Sequence, residues 1–140
     1  MRAVKGLLLV ATSAAIGMLP SGVLATAWFT WLNWRAADGP NFPPPLVALA
    51  VCAGLAVLIV PVQLAVLTRE RASVRAAIAI GIAGGAIAGF VLTRLLAMPP
   101  HRPESLLWLA IGGVQGAVAL GALAVAQRWS RGQAVIARRG

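Results

Sequence analysis

Four long apolar segments alternate with short polar segments along this chain. The apolar segments cover residues 6–32, 46–68, 76–96 and 106–126, and contain no charged residue except Arg94. Each is long enough to cross a hydrocarbon core, which takes about 20 residues as a helix. Because lipid offers the backbone no hydrogen-bond partners, such segments are stable there only as helices. The pattern predicts an all-α fold: a polytopic membrane protein with four transmembrane helices in an antiparallel bundle, in a single domain over residues 1–140.

The connectors between these segments carry residues that end helices. Residues 33–45 and 97–105 are rich in proline, and residues 68–75 are short and basic. Proline lacks an amide N–H and cannot continue a helix without losing a hydrogen bond. Pro103 suits the first position of the fourth helix, and Glu104 then lies in its first turn, where a negative charge interacts favourably with the helix dipole.

The basic residues predict the direction of the helices. The chain has 12 Lys and Arg residues against three Asp and Glu, and its formal net charge is +9. Three of the basic residues, Arg35, Arg94 and Arg102, fall on one side of the four segments. The other nine fall on the opposite side: Arg2, Lys5, Arg69, Arg71, Arg75, Arg128, Arg131, Arg138 and Arg139. Cytoplasmic loops carry the excess of Lys and Arg, which predicts an N-in/C-in protein with both termini in the cytoplasm.

Composition supports lipid as the main partner of the chain. Hydrophobic residues make up 60% of it and charged residues 11%, and its mean hydropathy is +0.88. Soluble domains usually contain about 25% charged residues. The basic residues form short clusters between apolar segments rather than one stripe, which argues against nucleic acid as a partner. The abundance of Arg and Ala is typical of a bacterial inner-membrane protein.

All five tryptophans lie near the predicted membrane surfaces. Trp28, Trp31 and Trp34 come at the outer end of the first helix, Trp108 at the outer end of the fourth, and Trp129 at its inner end. Indole rings concentrate at headgroup depth, which predicts an interfacial aromatic belt. An aromatic binding site on the outer face is the alternative.

The N-terminus also has the features of a signal peptide. A charged start is followed by an apolar stretch from Gly6 to Leu19 and by the A-x-A pattern at residues 25–27. Cleavage after Ala27 would leave three spans. The apolar segment continues to Leu32, which favours a spanning helix that is retained, and both alternatives leave the direction of the other helices unchanged.

Rows of glycine predict where the third and fourth helices touch. Gly81, Gly85 and Gly89 recur at every fourth position of the third helix, and Gly112 and Gly116 do so in the fourth. Membrane helices associate through close backbone approach and van der Waals contact, which small residues permit. We expect these two helices to pack through their glycines. A homo-oligomer or a membrane-protein partner on the same faces is the alternative.

Reactive side chains are scarce in the predicted spans. No acid or base lies at mid-membrane, where ion-coupled transporters usually need one. Gln115, midway along the fourth helix, is expected to bond a neighbouring helix or, alternatively, to line a polar path. Arg94 and Glu104 fall in an outer polar cluster that also includes Arg35, Asp38, His101 and Arg102. With one histidine and one cysteine in the chain, we predict no catalytic residue, no metal site and no cofactor.

These features predict a small membrane protein that is not an enzyme. We expect it to act through helix–helix contacts as an accessory or scaffold subunit or as a self-associating bundle. The alternative is a small uncoupled transporter, flippase component or pore assembled as an oligomer. The basic tail, residues 130–140, is expected to lie along the anionic inner leaflet or, alternatively, to dock on a cytoplasmic partner.

Overall fold

The computed structural model describes residues 2–35, 43–69, 73–96 and 103–140, without the side chains of Pro103 and Glu104. Four helices account for nearly all of them: α1 (Arg2–Arg35), α2 (Pro44–Leu67), α3 (Val74–Leu95) and α4 (Pro103–Arg139). Each helix is long and apolar enough to cross a membrane. The predicted all-helical architecture with four such helices is therefore confirmed.

Two of the helices are longer than predicted. α1 has 34 residues and α4 has 37, which correspond to about 51 and 55 Å at 1.5 Å per residue. A hydrocarbon core is about 30 Å thick, so both helices extend beyond it. α4 continues through residues 130–139, which we predicted as a short basic tail. Hydropathy marks where the apolar part of a helix ends, and the following Gln, Ala and Arg residues favour helix as well.

Local sequence explains where α3 and α4 begin. The side chain of Ser73 accepts a hydrogen bond from the Ala76 N–H at 3.1 Å and so caps α3. α4 begins at Pro103, a position where the missing amide N–H costs nothing. Pro20 and Pro61 lie inside α1 and α2, and both helices continue through them.

α1 contacts α2 and α4, α3 contacts α2 and α4, and α2 also contacts α4 across the bundle. The contact between α3 and α4 is the most extensive. Two apolar clusters fill the interior. The first contains Leu55, Ile59 and Trp108, and the second contains Val66 and Leu120.

The second apolar cluster lies at a strongly basic end of the bundle. Leu9, Leu67 and Val74 pack against it, so the start of α1, the end of α2, the start of α3 and the later part of α4 lie together. Arg35 and Arg94 belong to the opposite end. The exposed cations described at the basic end are Arg2, Lys5, Arg69, Arg75, Arg128, Arg131, Arg138 and Arg139.

Candidate functional site

One face of α1 consists of small residues and is buried. Ser13, Gly17, Ser21 and Ala25 recur at every fourth position and all lie against the other helices. A Cβ atom at Gly17 would lie 2.8 Å from the carbonyl oxygen of Gln115 and 2.9 Å from the Cβ of Ala119. The absence of a side chain at Gly17 therefore lets α1 rest directly on the backbone of α4.

Gln115 joins three helices through a buried group that we call the Gln115 layer (Ser21, Cys52 and Gln115). Its Nε2 donates to the backbone carbonyl of Cys52 at 2.9 Å. The Ser21 hydroxyl has two acceptors at 3.0 Å, Gln115 Oε1 and the Gly17 carbonyl, and its single proton serves one of them at a time. Both ends of the Gln115 amide thus have partners, which offsets the cost of removing it from water.

A second buried pair lies two helical turns away along α1. Gln63 Nε2 donates to Ser13 Oγ at 3.0 Å, and Ser13 donates to the Val10 carbonyl at 3.0 Å. Gln63 is fully buried, and its Oε1 has no hydrogen-bond partner among the residues that the structure describes. This pair, the Gln63 layer, is therefore only half satisfied.

The two polar layers are separated by apolar side chains. Along the buried face of α2, Leu55 and Ile59 lie between Cys52 and Gln63, and both are almost completely buried. On this face the layers therefore form two islands rather than one continuous polar path. Gln115, for which a polar path was the alternative interpretation, bonds Ser21 and the Cys52 carbonyl on two neighbouring helices.

The structure brings the five predicted glycines of α3 and α4 into one contact, which we call the glycine seam. A Cβ atom at Gly85 would collide with the carbonyl oxygen of Gly112, and one at Gly81 with that of Gly116. One at Gly89 would collide with the Trp108 carbonyl. Along these contacts, later residues of α3 meet earlier residues of α4. The glycines are therefore already buried in a contact between two helices of the same chain.

The tryptophans divide into surface and core residues. The rings of Trp28 and Trp31 stack with centroids 5.0 Å apart, and the Arg35 guanidinium lies 4.7 Å from the centroid of the Trp31 ring. Trp34 and Trp129 are 81% and 72% exposed.

Trp108 requires a correction. It is only 2% exposed, and its ring lies 5.7 Å from that of Phe29 inside the first apolar cluster. Position 108 precedes Gly112 and Gly116 by one and two turns on the same buried row of α4. The ring therefore packs within the bundle and not in a surface belt.

The structure describes only some of the residues that we predicted for the outer polar cluster. Arg94 is exposed, and its guanidinium lies 5.3 Å from the centroid of the Phe90 ring, one turn earlier on α3. Glu104 lies in the first turn of α4, but its side chain is outside the described part, as are Asp38, His101 and Arg102. Among the described residues, no three His, Cys, Asp or Glu side chains are grouped to hold a metal ion.

Gln115 was predicted from the sequence, but its partner Ser21 and the Ser13–Gln63 pair were not. Ser13, Ser21 and Gln63 look like isolated polar residues in apolar helices. The signal that marks them is the i+4 row of small residues through Gly17, which resembles the glycine rows of α3 and α4.

α1 keeps one open face toward its outer end. A shallow and wide-open surface, the α1 outer groove, is lined by α1 alone. A Cβ atom at Gly22, in its floor, would meet nothing within 4 Å. Its lining residues follow two i+4 rows: Met18, Gly22, Thr26, Thr30 and Trp34 in one, and Leu19, Val23, Ala27 and Trp31 in the other.

Comparisons with protein-family models, with curated proteins and with solved structures find no match to this chain.

Proposed function

We propose that this chain is a small non-catalytic protein of the bacterial inner membrane that works by helix contact with another membrane protein or with further copies of itself. In this proposal its four spans are antiparallel and both termini lie in the cytoplasm. Its role is that of a scaffold or accessory subunit.

Exposed apolar side chains support a lipid environment. Leu19, Val23 and Val57 are each about 70% exposed, and other large apolar side chains are exposed on all four helices. Soluble monomers rarely expose contiguous apolar patches of more than a few hundred Å². In a bilayer these side chains are in contact with lipid tails instead of water.

The separation of charge supports the direction of the spans. The eight exposed cations of the basic end lie toward the same end of the bundle as the second apolar cluster, whereas Arg35 and Arg94 lie at the other end. An excess of Lys and Arg on one side is the pattern of cytoplasmic loops. The basic end is therefore assigned to the cytoplasm in this proposal.

The α1 outer groove is the observation on which the contact function depends. The glycine seam is already filled by α3 and α4, so it offers no surface to a partner. The groove has the same small-residue spacing, through Gly22, Thr26 and Thr30, and it is open. Small residues at this spacing let a further helix approach closely.

The test is a leucine at Gly22. Gly22→Leu fills the groove without a clash inside the chain, so we expect unchanged thermal stability in detergent and the loss of a defined complex in crosslinking and native mass spectrometry of membranes. Ala11→Leu, on an exposed position of α1 outside the groove, is the matched control and should keep the complex.

A complex that survives in Gly22→Leu contradicts the proposal. A closed homo-oligomer that carries solute flux in liposomes would support the alternative, an uncoupled transporter or pore, in place of a scaffold. The apolar residues between the two polar layers argue against a solute path through a single chain.

A further inference from the structure

α1 and α4 touch at their centre and leave a cleft on either side. The close contact is at Gly17, against the backbone of Gln115 and Ala119. Toward the basic end, a cleft of about 300 Å³ opens between Lys5, Leu9 and Ile16 of α1 and Ala122, Ala126 and Ser130 of α4. Toward the other end, a cleft of about 430 Å³ is lined by residues that include Leu24, Trp28, Leu107 and Val114.

We propose that the cleft at the basic end binds a phospholipid with an anionic headgroup. One acyl chain lies between α1 and α4, and the headgroup meets Lys5 at the mouth of the cleft. This inference rests on the proposed membrane location.

The length of the cleft fits one leaflet. Its α1 side runs from Lys5 to Ile16, which is 11 residues along the helix and about 16 Å. Half of a hydrocarbon core is about 15 Å. An acyl chain that follows this side of α1 therefore ends close to the mid-plane, near the Gly17 contact that closes the cleft.

The lining of the cleft is suited to hydrocarbon below its mouth. Leu8, Leu9 and Ile16 line one wall, and Ala122 and Ala126 line the other. Ser13, the deepest polar residue, already donates to the Val10 carbonyl and accepts from Gln63. Its hydroxyl is thus engaged within the bundle.

The charge at the mouth selects the headgroup. Lys5 is exposed and lies across the cleft from the hydroxyl-bearing Ser130. Arg2 and Arg128 are exposed on neighbouring turns. A lysine keeps its ammonium at headgroup level while its stem lies along apolar surface.

The other cleft serves as an internal comparison. It has no charged residue in its lining. The preference for anionic lipid is therefore expected at the basic end alone, and it should depend on Lys5.

The experiment measures lipid retention by native mass spectrometry of the full chain in detergent with equal amounts of phosphatidylglycerol and phosphatidylcholine. We expect phosphatidylglycerol to be retained about fivefold better, the effect of one well-placed cation. Lys5→Gln should abolish the preference, and Ala126→Leu, which fills the cleft, should reduce retention of both lipids. Arg138→Gln removes an exposed cation of the same end outside the cleft and should behave as the parent chain does.

Ala122→Leu fills the same cleft on the adjacent turn and replaces Ala126→Leu if that variant does not fold. Equal retention of the two lipids by the parent chain overturns the inference, as does parent-like behaviour of Lys5→Gln or of the cleft-filling variants. A second copy of the chain that occupies the cleft and excludes lipid also overturns it. These results leave the proposed scaffold function intact, whereas a monodisperse protein in buffer without detergent removes both.

Discussion

The side-chain amide of Gln115 donates a hydrogen bond to the backbone carbonyl of Cys52 at 2.9 Å, across the centre of the bundle. A carbonyl oxygen has two lone pairs, so this bond adds to the helical hydrogen bond of α2 without replacing it. Together with the Ser21 hydroxyl, it fixes the register of α4 against both α1 and α2. Gln63 makes a comparable contact to α1 with its nitrogen only.

The contact between Ser21 and Gln115 should be measurable as a coupling energy. In a double-mutant cycle of Ser21→Ala and Gln115→Leu, we expect the two changes to be coupled by about 0.6 kcal/mol, as for hydrogen bonds between membrane helices. The measurement is unfolding in mixed detergent micelles. Thr30→Ala paired with Gln115→Leu is the control; Thr30 bonds only its own helix in the structure, at Thr26, so this pair should be additive. Additivity of Ser21→Ala with Gln115→Leu would argue against the layer.

The two glutamines should respond differently to methionine, which has a similar volume. Gln63→Met removes an amide whose oxygen has no partner in the described part of the bundle, so we expect it to change the free energy of unfolding by less than about 1 kcal/mol, in either direction. Gln115→Met removes bonds at both ends of its amide and should cost more. If the two variants lower the free energy of unfolding equally in this assay, the Oε1 of Gln63 does have a hydrogen-bond partner and the prediction is wrong.

The glycine seam should not accept a side chain. Gly85→Leu places a Cβ atom on the Gly112 carbonyl, and we expect it to destabilise the protein by about 3 kcal/mol, seen as a lower thermal midpoint in detergent. Gly132→Leu is the matched control, because a Cβ atom there meets nothing within 4 Å. An unchanged midpoint in Gly85→Leu would refute the seam.

Cys52 makes the direction of the spans simple to test. It is the sole cysteine of the chain and is buried, so a maleimide should react with it in SDS but only slowly in the folded protein. In intact cells, a membrane-impermeant maleimide should label Arg35→Cys and leave Arg75→Cys unlabelled. Labelling of Arg75→Cys from outside would reverse the proposed topology.

Residues 1–27 should remain attached to the mature protein. Ser13, Gly17 and Ser21 provide α1's contacts to both polar layers, and cleavage after Ala27 would leave Gln63 and Gln115 without them. We expect the intact mass of the purified protein to include residues 1–27. A mass that lacks residues 1–27 would identify the segment as a signal peptide.

Features that are local in the sequence were predictable, and contacts between distant residues were not. The four helices follow from uninterrupted apolar segments, and the partners in the glycine seam follow from rows on consecutive helices. The bond between Ser21 and Gln115 joins residues 94 positions apart. A single sequence contains several small-residue rows, and which row faces which helix is decided by packing of the whole bundle.

Trp108 is one residue whose surroundings could not be predicted from its position in the sequence. Its distance from the helix end suggests headgroup depth, but its angular position on α4 decides whether the ring points outward or inward. Its place on the row of Gly112 and Gly116 carries that information. Hydropathy and tryptophan position alone do not.

The glycine seam also determines which parts of the bundle can change shape. Contacts made by backbone atoms have no rotamers to exchange, so we expect α3 and α4 to move together. α1 is attached to that pair through the close contact at Gly17 and the bond between Ser21 and Gln115, among others. A rotation of α1 about Gly17 would narrow one of its two clefts with α4 while widening the other.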